Sequence, residues 1–363
     1  MLKRIDRYIL QRYVSTFLFT ALLFSLIAAA IDLSEKLTKF IKNDLDFVEI
    51  LNRYYLHFFP YINGLLWPLY ALISVIFFTS RLAYNSEIIS MFNAGMSFRR
   101  LLRPYMFGAT VFALGHLMGN HYFIPLANKA RLDFEYQYIW TTNDKGQTND
   151  LHLFLKPGEK IFINFYRKAD SSMIDVRLEK YNGQQLTSIL KARSARWMGA
   201  TRTWRLRSYE IRELDSLGGE HLVTGMGEEL DTLLNIEPAD FVQYVDQKDM
   251  MTTPELSRYI DKLRSRGAGN TRKFEIERHR RTADPFTILI LTIIGVAVAS
   301  RKVRGGMGLH LAIGIGVGAI YIFLSRFSTT FAMNQSLSPL LGVWIPNIIF
   351  AGISYILAGR AQQ

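Results

Sequence analysis

Long stretches without a charged residue are the feature that most restricts what this chain can fold into. Five of these runs have 19 to 33 residues and a sixth has 16. In chain order they cover residues 13–31, 54–80, 104–128, 285–300, 305–325 and 327–359. Spanning a bilayer takes about 20 mostly apolar residues, so the runs predict a membrane α-helical bundle of six transmembrane helices. A soluble enzyme and a disordered chain are both excluded.

The first predicted helix has an alternative interpretation, and the fourth is shorter than a bilayer requires. The basic start, the apolar run and the alanines at 28–30 resemble a secretory signal peptide. The run is longer than the roughly 7–15 apolar residues of such a peptide, so a retained helix is expected. The fourth run reaches spanning length if Asp284 lies at the interface and Arg301 and Lys302 extend their charges toward the headgroups.

The distribution of Lys and Arg predicts the orientation, because short cytoplasmic loops carry an excess of these residues. Twelve lie on the side of the two termini and five on the other. The twelve are Lys3, Arg4, Arg7, Arg12, Arg81, Arg99, Arg100, Arg103, Arg301, Lys302, Arg304 and Arg360; the five are Lys36, Lys39, Lys42, Arg53 and Arg326. Both termini are expected in the cytoplasm, and the long polar block on the far side.

Three parts are expected: helices in residues 1–126, the polar block in 127–282, and helices in 283–363. Short alternating apolar and polar runs in the block, separated by turn signals, are typical of an antiparallel β domain. The clearest alternation is at residues 161–165, 174–178 and 204–211. A threonine cap followed by Pro254 predicts a helix at about 252–266, near the end of the block.

The segment between the second and third predicted helices, about residues 81–103, is expected to form a short amphipathic helix on the cytoplasmic face. Asn85 or Ser86 caps it, Glu87 lies in its first turn and Gly95 ends it. Glu87 has two interpretations. It is either an acid that favours the positive end of the helix dipole or an ion-pair partner for a separate ATPase.

Two basic clusters flank predicted helices. Lys36, Lys39 and Lys42 follow the first helix at a spacing of three, which predicts one shared face. They form either a solvated face beside acidic neighbours or a rim that attracts lipid phosphates. Five residues before the fourth helix either bind anionic headgroups or anchor the helix at the interface. They are Arg272, Lys273, Arg278, Arg280 and Arg281.

Small residues recur at four-residue spacing in the fifth predicted helix, at Gly308, Ala312 and Gly316, with Gly314 and Gly318 beside them. Such spacing lets helices approach closely. The sequence leaves open whether the stripe packs within the chain, forms a subunit interface or lines a moving gate.

Motifs of catalysis and cofactor binding are missing from the sequence. There is no cysteine, which excludes disulfides and zinc–thiolate sites, and no GxxxxGK[ST] loop for phosphate. The uncharged runs contain no Asp or Glu, whereas ion-coupled carriers usually need ionisable groups within the membrane. We therefore expect a non-catalytic subunit without its own cofactor, to which a partner supplies energy.

Several stretches resemble the LptF/LptG permeases of the lipopolysaccharide-export ABC transporter. The most specific, residues 81–104, reads RLAYNSEIISMFNAGMSFRRLLRP and is similar to the coupling region of that family. Residues 5–17 are similar to its opening, and 255–267 and 277–286 to its approach to the fourth helix. The order of three helices, a β domain and three helices also agrees, and the likeness covers essentially the whole chain.

The resemblance implies an inner-membrane permease of a Gram-negative cell whose β-jellyroll lies in the periplasm. Its partners would be a paralogous permease, two copies of a cytoplasmic LptB-like ATPase that binds ATP and Mg, lipopolysaccharide, and jellyroll proteins similar to LptC and LptA. No nucleic acid is involved. F-like and G-like members are not distinguished.

The same resemblance implies roles for individual residues. Contacts to the ATPase would come from Ser86, Glu87, Met91 and Gly95, and contacts to lipid phosphates from Lys36, Lys39 and Lys42. The first and fifth helices would form a lateral gate, and the small residues expected to pack there are Gly308, Ala312 and Gly316.

Two other functions compete with export. A membrane-anchored envelope sensor or scaffold would use the β domain to bind a ligand and would not need an ATPase. An exporter of the mechanotransmission type usually has fewer spans and often its own nucleotide-binding domain. Copurification of an ATPase separates the transporter from the sensor.

Overall fold

The structure is a computed structural model. It describes residues 4–140, 149–167, 169–215, 219–241, 246–267, 271–301, 303 and 306–361. The chain divides into two compact units. The helical unit comprises Met1–Phe134, Lys248–Leu256 and Arg272–Gln363, and the β unit comprises Glu135–Gln247 and Ser257–Thr271.

The described residues form α-helices of very different lengths. They are α1 (Arg4–Lys42), α2 (Phe47–Glu49), α3 (Leu56–Tyr84), α4 (Glu87–Asn93), α5 (Phe98–Met118), α6 (Ile124–Tyr138), α7 (Gln247–Met250), α8 (Thr253–Ser265), α9 (Arg272–Ala299), α10 (Gly306–Met333) and α11 (Pro339–Arg360). Two π-helical turns, Ile50–Tyr55 and Gly119–Phe123, continue α2 into α3 and α5 into α6.

Five helical stretches within the described ranges are long and apolar enough to cross a membrane. They are α1, the stretch Phe47–Tyr84 that contains α3, α9, α10 and α11. The third predicted span corresponds to α5, which has 21 residues but is not among the five. It carries Arg103 and His116, and these polar side chains lower its mean hydropathy. A count of six spans therefore depends on α5.

The predicted boundary between the fifth and sixth spans at Arg326 is wrong. Helix α10 continues through this arginine to Met333, and the turn to α11 falls at residues 334–338. There, the Ser338 side chain accepts a hydrogen bond from the Leu341 N–H at 3.3 Å. A single charged residue ends an uncharged run in the sequence, but it does not end a helix, because arginine has good helix propensity.

The core of the helical unit is built around α9, which packs on α3, α5, α10 and α11. Fully buried side chains such as Tyr13, Tyr70, Leu101 and Ile288 join α1, α3, α5 and α9 in one apolar cluster. Close packing of this kind fixes the backbone at positions where polar side chains are also brought together.

The β unit contains a sheet of six described strands, each antiparallel to the next and arranged in sequence order. The strands are β1 (Asn149–Lys156), β2 (Glu159–Arg167), β3 (Ser172–Asn182), β4 (Gln185–Met198), β5 (Thr203–Leu214) and β6 (Glu220–Thr232). The prediction of a helical membrane protein with an inserted antiparallel β domain is confirmed. The described strands form a meander, without the crossovers of the two Greek keys in a jelly roll.

The predicted alternation coincides with the buried face of the sheet. Ile161 and Ile163 are fully buried and pair with Leu178 and Val176 across β2 and β3. Strands β1, β4 and β6 lie outside the runs in which alternation was clearest. Trp204 on β5 is completely buried, and its indole N–H donates to the carbonyl of Ile236 at 2.8 Å.

An ion-pair network joins the segment after β6 to α8 and the residue that follows it. Asp240 accepts hydrogen bonds from Lys262 at 2.7 Å and from Arg266 at 2.9 Å, and Arg266 also donates to the Asn235 carbonyl at 2.7 Å. Burial raises the pKa of Asp240, but the hydrogen bonds from Arg266 and Lys262 outweigh it and hold the pKa below its usual value.

Candidate functional site

The short helix α4 connects α3 to α5 and has a left-handed residue at each end. Ser86 has a φ of 62° and Gly95 a φ of 83°. The space where a Cβ of Gly95 would stand is open, so its backbone conformation alone favours glycine. Ser97 then caps α5 by accepting a hydrogen bond from the Arg100 N–H at 3.3 Å. The two turns fix the direction of α4 relative to its neighbours.

One side of α4 is anchored in the bundle. Ile88 is fully buried in the apolar cluster of the helical unit, and Met91 and Phe92 pack partly against it. Met91, which the resemblance assigns to the ATPase contact, is therefore only half available to a partner. Ile89 and Asn93 are exposed on the outward side.

Glu87 begins α4 and is partly exposed. The Asn85 side-chain amide lies beside it, with Nδ2 3.5 Å from Oε1 of Glu87, at the limit of a hydrogen bond. Within the described part of the chain, Glu87 forms no ion pair. Its charge is thus available to a cation outside the chain.

A second contact near α4 joins the first turn of α1 to the first turn of α5. Asp6 is 3 % exposed, and its Oδ2 lies 2.6 Å from a guanidinium nitrogen of Arg100. The sequence predicted for Arg100 only a position on the cytoplasmic side, and not this ion pair. The feature that could have indicated the pair is Asp6, a lone acid within a strongly basic N-terminal segment.

The three lysines at the end of α1 have different environments. Lys36 is half-buried, with its ammonium 2.5 Å from Asp32 and hydrogen-bonded to the Tyr54 hydroxyl. Lys39 and Lys42 are exposed. Each step of three residues falls about 60° short of a full helical turn, so the predicted shared face is a broad one, and Lys36 lies at its buried edge. The structure separates an internal ion pair from two outward cations.

The small residues of α10 also separate into two faces. Gly314 and Gly318 pack against α3, and a Cβ on Gly314 would lie 2.2 Å from Cδ1 of Ile76. At Gly308 and Gly316 an added Cβ would contact nothing within 4 Å, and Ala312 is exposed. The close contact within the chain therefore uses the other pair of glycines, and the stripe of 308, 312 and 316 faces outward.

Most of the basic cluster on α9 has structural partners. Arg281 is buried and donates to Glu277 at 3.0 Å and to the carbonyls of Lys248 and Met251 at 2.9 and 2.7 Å. Arg280 forms an ion pair with Glu277 at 2.7 Å. Arg272 donates to the carbonyl of Ala332 in the last turn of α10 and to that of Leu337 just after the helix, each at 3.0 Å. Neither headgroup binding nor interface anchoring accounts for Arg281. The sequence feature that indicates its internal ion pair is Glu277, the acid four residues earlier.

Apolar side chains cover the outward faces of α1 and α10. On α1, Leu18, Phe19 and Leu22 are at least 60 % exposed, and on α10 Ile320 and Phe323 are similar. Exposed apolar faces of this extent mark contact with lipid or with another protein.

A known protein family matches this chain over almost its whole length. The family described as "Lipopolysaccharide export system permease LptF/LptG" matches residues 7–360. No curated protein sequence matches the chain. Because the match covers nearly the whole chain, the chain is a multi-pass membrane protein of the LptF/LptG family, the permeases of lipopolysaccharide export.

Proposed function

We propose that this chain is the non-catalytic permease subunit of an ABC transporter that extracts lipopolysaccharide from the inner membrane and passes it to a periplasmic bridge. A separate LptB-like ATPase dimer, which binds ATP and Mg, supplies the energy. A paralogous permease completes the membrane part, and LptC- and LptA-like jellyroll proteins receive the lipid.

The observation that carries the proposal is helix α4. Its buried residue Ile88 fixes it to the bundle, while Glu87 remains partly exposed and without an ion pair in the described residues. A helix mounted in this way transmits a displacement imposed from outside, because moving it requires moving the core residues around it. The acid supplies the charge complementarity that positions a basic partner.

Lipid contact is assigned to the outward parts of α1 and α10. Their exposed apolar side chains suit acyl chains, and Lys39 and Lys42 at the end of α1 suit phosphate groups. Lys36 is left out of the direct contact, since Asp32 already compensates its charge. The stripe of Gly308, Ala312 and Gly316 is assigned to packing between subunits or at the gate.

The proposal also fixes topology and domain limits. Residues 1–126 and 283–363 form the membrane part, with both termini in the cytoplasm, and residues 127–282 form the periplasmic domain. The excess of Lys and Arg on the side of the termini supports this orientation. It places α4 where a cytoplasmic ATPase can reach it.

Copurification tests the proposal. The full chain is expressed with its candidate permease and ATPase partners and purified through a tag, as wild type and as Glu87→Lys. We expect the ATPase to accompany the wild type and to be reduced at least 10-fold by the charge reversal. Glu228→Lys, at an exposed position on β6, is the control and is expected to retain the ATPase.

Two results would contradict the proposal at different levels. Equal recovery of the ATPase with Glu87→Lys and with wild type would reduce Glu87 to a helix-end acid and remove the coupling role of α4. Recovery of the chain without any ATPase would overturn the transporter assignment and favour a sensor or scaffold.

A further inference from the structure

A cavity of about 250 Å³ lies inside the helical unit between α3, α9 and α10. Along both α9 and α10, the residues that line it change from polar to apolar. On α9 it passes from Asp284 to Leu291, and on α10 it passes in the reverse direction from Arg326 to Ile322. Leucines of α3 complete the apolar side. Because α9 and α10 run antiparallel, the charged ends coincide.

The charged end of the cavity lies far along the bundle from the α9–α10 connection. Asp284 precedes the end of α9 at Ala299 by 15 residues, and Arg326 follows the start of α10 at Gly306 by 20. At about 1.5 Å per residue these separations are about 22 and 30 Å, close to the hydrocarbon thickness of a bilayer. The cavity therefore has its charged end near one membrane interface and its apolar end within the bilayer.

Two opposite charges in this cavity have no partner within ion-pair distance, although the guanidinium charges of Arg280 and Arg326 act on the Asp284 carboxylate from farther away. Within the described residues, Asp284 and Arg326 form no ion pair and no side-chain hydrogen bond, either with each other or with a third group. Arg280, which also lines the cavity, is already paired with Glu277. Asp284 is partly buried, and a carboxylate without a hydrogen bond beside an apolar wall is costly, whereas Arg326 is exposed and can turn its guanidinium toward an anion. A bound group with one cation and one anion offers a close partner to both side chains.

We propose that the cavity binds a phospholipid whose headgroup carries a phosphate and a primary ammonium, such as phosphatidylethanolamine. The guanidinium of Arg326 pairs with the phosphate, for which its planar fork of donors is suited. The ammonium donates to the carboxylate of Asp284. One acyl chain lies along Leu65, Leu69 and Leu291.

The headgroup requirement follows from the donors and charges. A choline headgroup has a cation without N–H donors, so it cannot hydrogen-bond to Asp284. A glycerol headgroup has no cation, so its phosphate would meet Arg326 and leave the carboxylate without a hydrogen-bonded cation. The site goes beyond lipopolysaccharide export, because it lies within one chain and selects a zwitterionic membrane lipid.

Lipid retention measured by native mass spectrometry tests the proposal. The full chain, with its copurifying partners, is reconstituted in nanodiscs of equimolar phosphatidylethanolamine, phosphatidylcholine and phosphatidylglycerol, and the retained lipids are identified. Wild type is expected to retain one phosphatidylethanolamine per chain, in at least 10-fold preference over either other lipid. Without the site, the three lipids would be retained equally.

Four variants connect the preference to the two charges. Asp284→Asn is expected to lower the preference at least 5-fold, and Asp284→Glu to preserve most of it, which separates the charge from a folding defect. Arg326→Gln is expected to lower retention of both phosphate-bearing competitors as well. Arg7→Gln, an exposed arginine at the other end of the bundle, is the matched control and should change nothing.

Three outcomes would overturn the proposal. One is equal retention of the three lipids by wild type. Another is a preference that survives both charge removals in protein that still folds. The third is displacement of the retained phospholipid by lipopolysaccharide at a one-to-one ratio, which would make the cavity part of the export route.

Discussion

Helices α9 and α10 follow one another directly in the chain, yet they bury very different shares of their surface. In the most apolar window of α9, 61 % of residues are buried within the chain, whereas in α10 only 17 % are, the same share as in α1. Their hydropathies are nearly equal, 1.9 and 2.0. Apolar composition therefore identifies a membrane helix, but it does not distinguish one that holds the bundle together from one that faces outward.

The buried helix carries the polar contacts. The Thr287 hydroxyl of α9 lies 2.6 Å from the Tyr321 hydroxyl and donates to Asn347 at 2.9 Å, and the Asn347 amide donates to the Ala283 carbonyl at 2.9 Å. Polar side chains within a bundle hold helices together when each finds a partner. The outward faces of α1 and α10 are instead apolar and suit an exchangeable neighbour.

The largest effect is expected from removing Arg281, the most thoroughly bonded cation of α9. Arg281→Leu leaves Glu277 buried with only Arg280 as a partner and frees the carbonyls of Lys248 and Met251. Breaking one side of a buried pair costs about 3–5 kcal/mol. We expect a lower yield and a lower thermal unfolding temperature.

The control for that change is Arg99→Leu, since Arg99 is exposed. It should alter stability by no more than about 0.5 kcal/mol. A result in which both substitutions have the same effect would show that the contacts of Arg281 do not stabilise the bundle.

A pair of glycine substitutions sharpens the distinction between the two faces of α10. Gly314→Leu must displace Ile76, which is buried, and is expected to destabilise the bundle by about 1–3 kcal/mol. Gly316→Leu meets open space within the chain and should fold normally. Thermal unfolding of the two proteins measures the difference. Normal folding of Gly314→Leu would contradict the packing of α10 on α3.

The same pair tests the outward stripe. If it contacts the second permease, Gly316→Leu should reduce recovery of that partner while leaving the unfolding temperature unchanged. Full recovery would exclude Gly316 from the subunit interface.

An effect of similar size on stability is expected from substituting the half-buried lysine of α1, and none from its two exposed ones. Lys36→Gln leaves Asp32 without its cation and is expected to cost about 1–3 kcal/mol, since the Tyr54 hydroxyl still donates to Asp32 at 3.0 Å. Lys39→Gln and Lys42→Gln should leave stability unchanged and weaken crosslinking to lipopolysaccharide. The opposite pattern, with crosslinking lost only at Lys36, would reverse the assignment.

The smallest effect concerns acid stability of the β unit, where an inward and an outward ion pair can be compared. The folded-state pKa of Asp240 lies below its unfolded value of about 3.9. Its stabilisation is therefore present above about pH 4 and is lost as the pH falls through the folded-state pKa. Asp240→Asn should flatten this acid dependence, measured by hydrogen exchange of β-unit peptides.

Asp231→Asn provides the comparison. Asp231 pairs with Arg205 at 2.7 Å on the exposed side of β5 and β6, where solvent screens the interaction. It should change acid stability less than Asp240→Asn. A larger effect at Asp231 would contradict the idea that burial decides which pair matters.

Sequence patterns predicted the elements better than they predicted their environments. Uncharged runs located the membrane helices because the bilayer imposes a minimum length, and period-two alternation located strands β2, β3 and β5. The same patterns were wrong about Arg326 as a helix boundary, because a charged residue that ends an uncharged run does not end a helix. They also did not distinguish the half-buried Lys36 from the exposed Lys39 and Lys42.

Contacts that join distant segments were not readable. Asp6 and Arg100 are 94 residues apart, and Asp284 and Arg326 meet at one cavity only because α9 and α10 are antiparallel. The role of α4 was partly readable, since Glu87 and Gly95 have local signatures. The burial of Ile88 depends on its packing in the apolar cluster of the helical unit and has no local signature.

One ion pair and one hydrogen bond hold the two ends of α1. Asp6 joins one end to Arg100 of α5, and Lys36 joins the other to the Tyr54 hydroxyl in the segment before α3, so the helix is clamped at both ends. The clamps are 30 residues, or about 45 Å, apart. Moving α1 aside as a rigid rod must break at least one clamp. Bending between the clamps breaks neither, although it must loosen the packing of Tyr13 and Phe17 in the core. A displacement of this helix is therefore expected as a local bend and not as a rotation about one end.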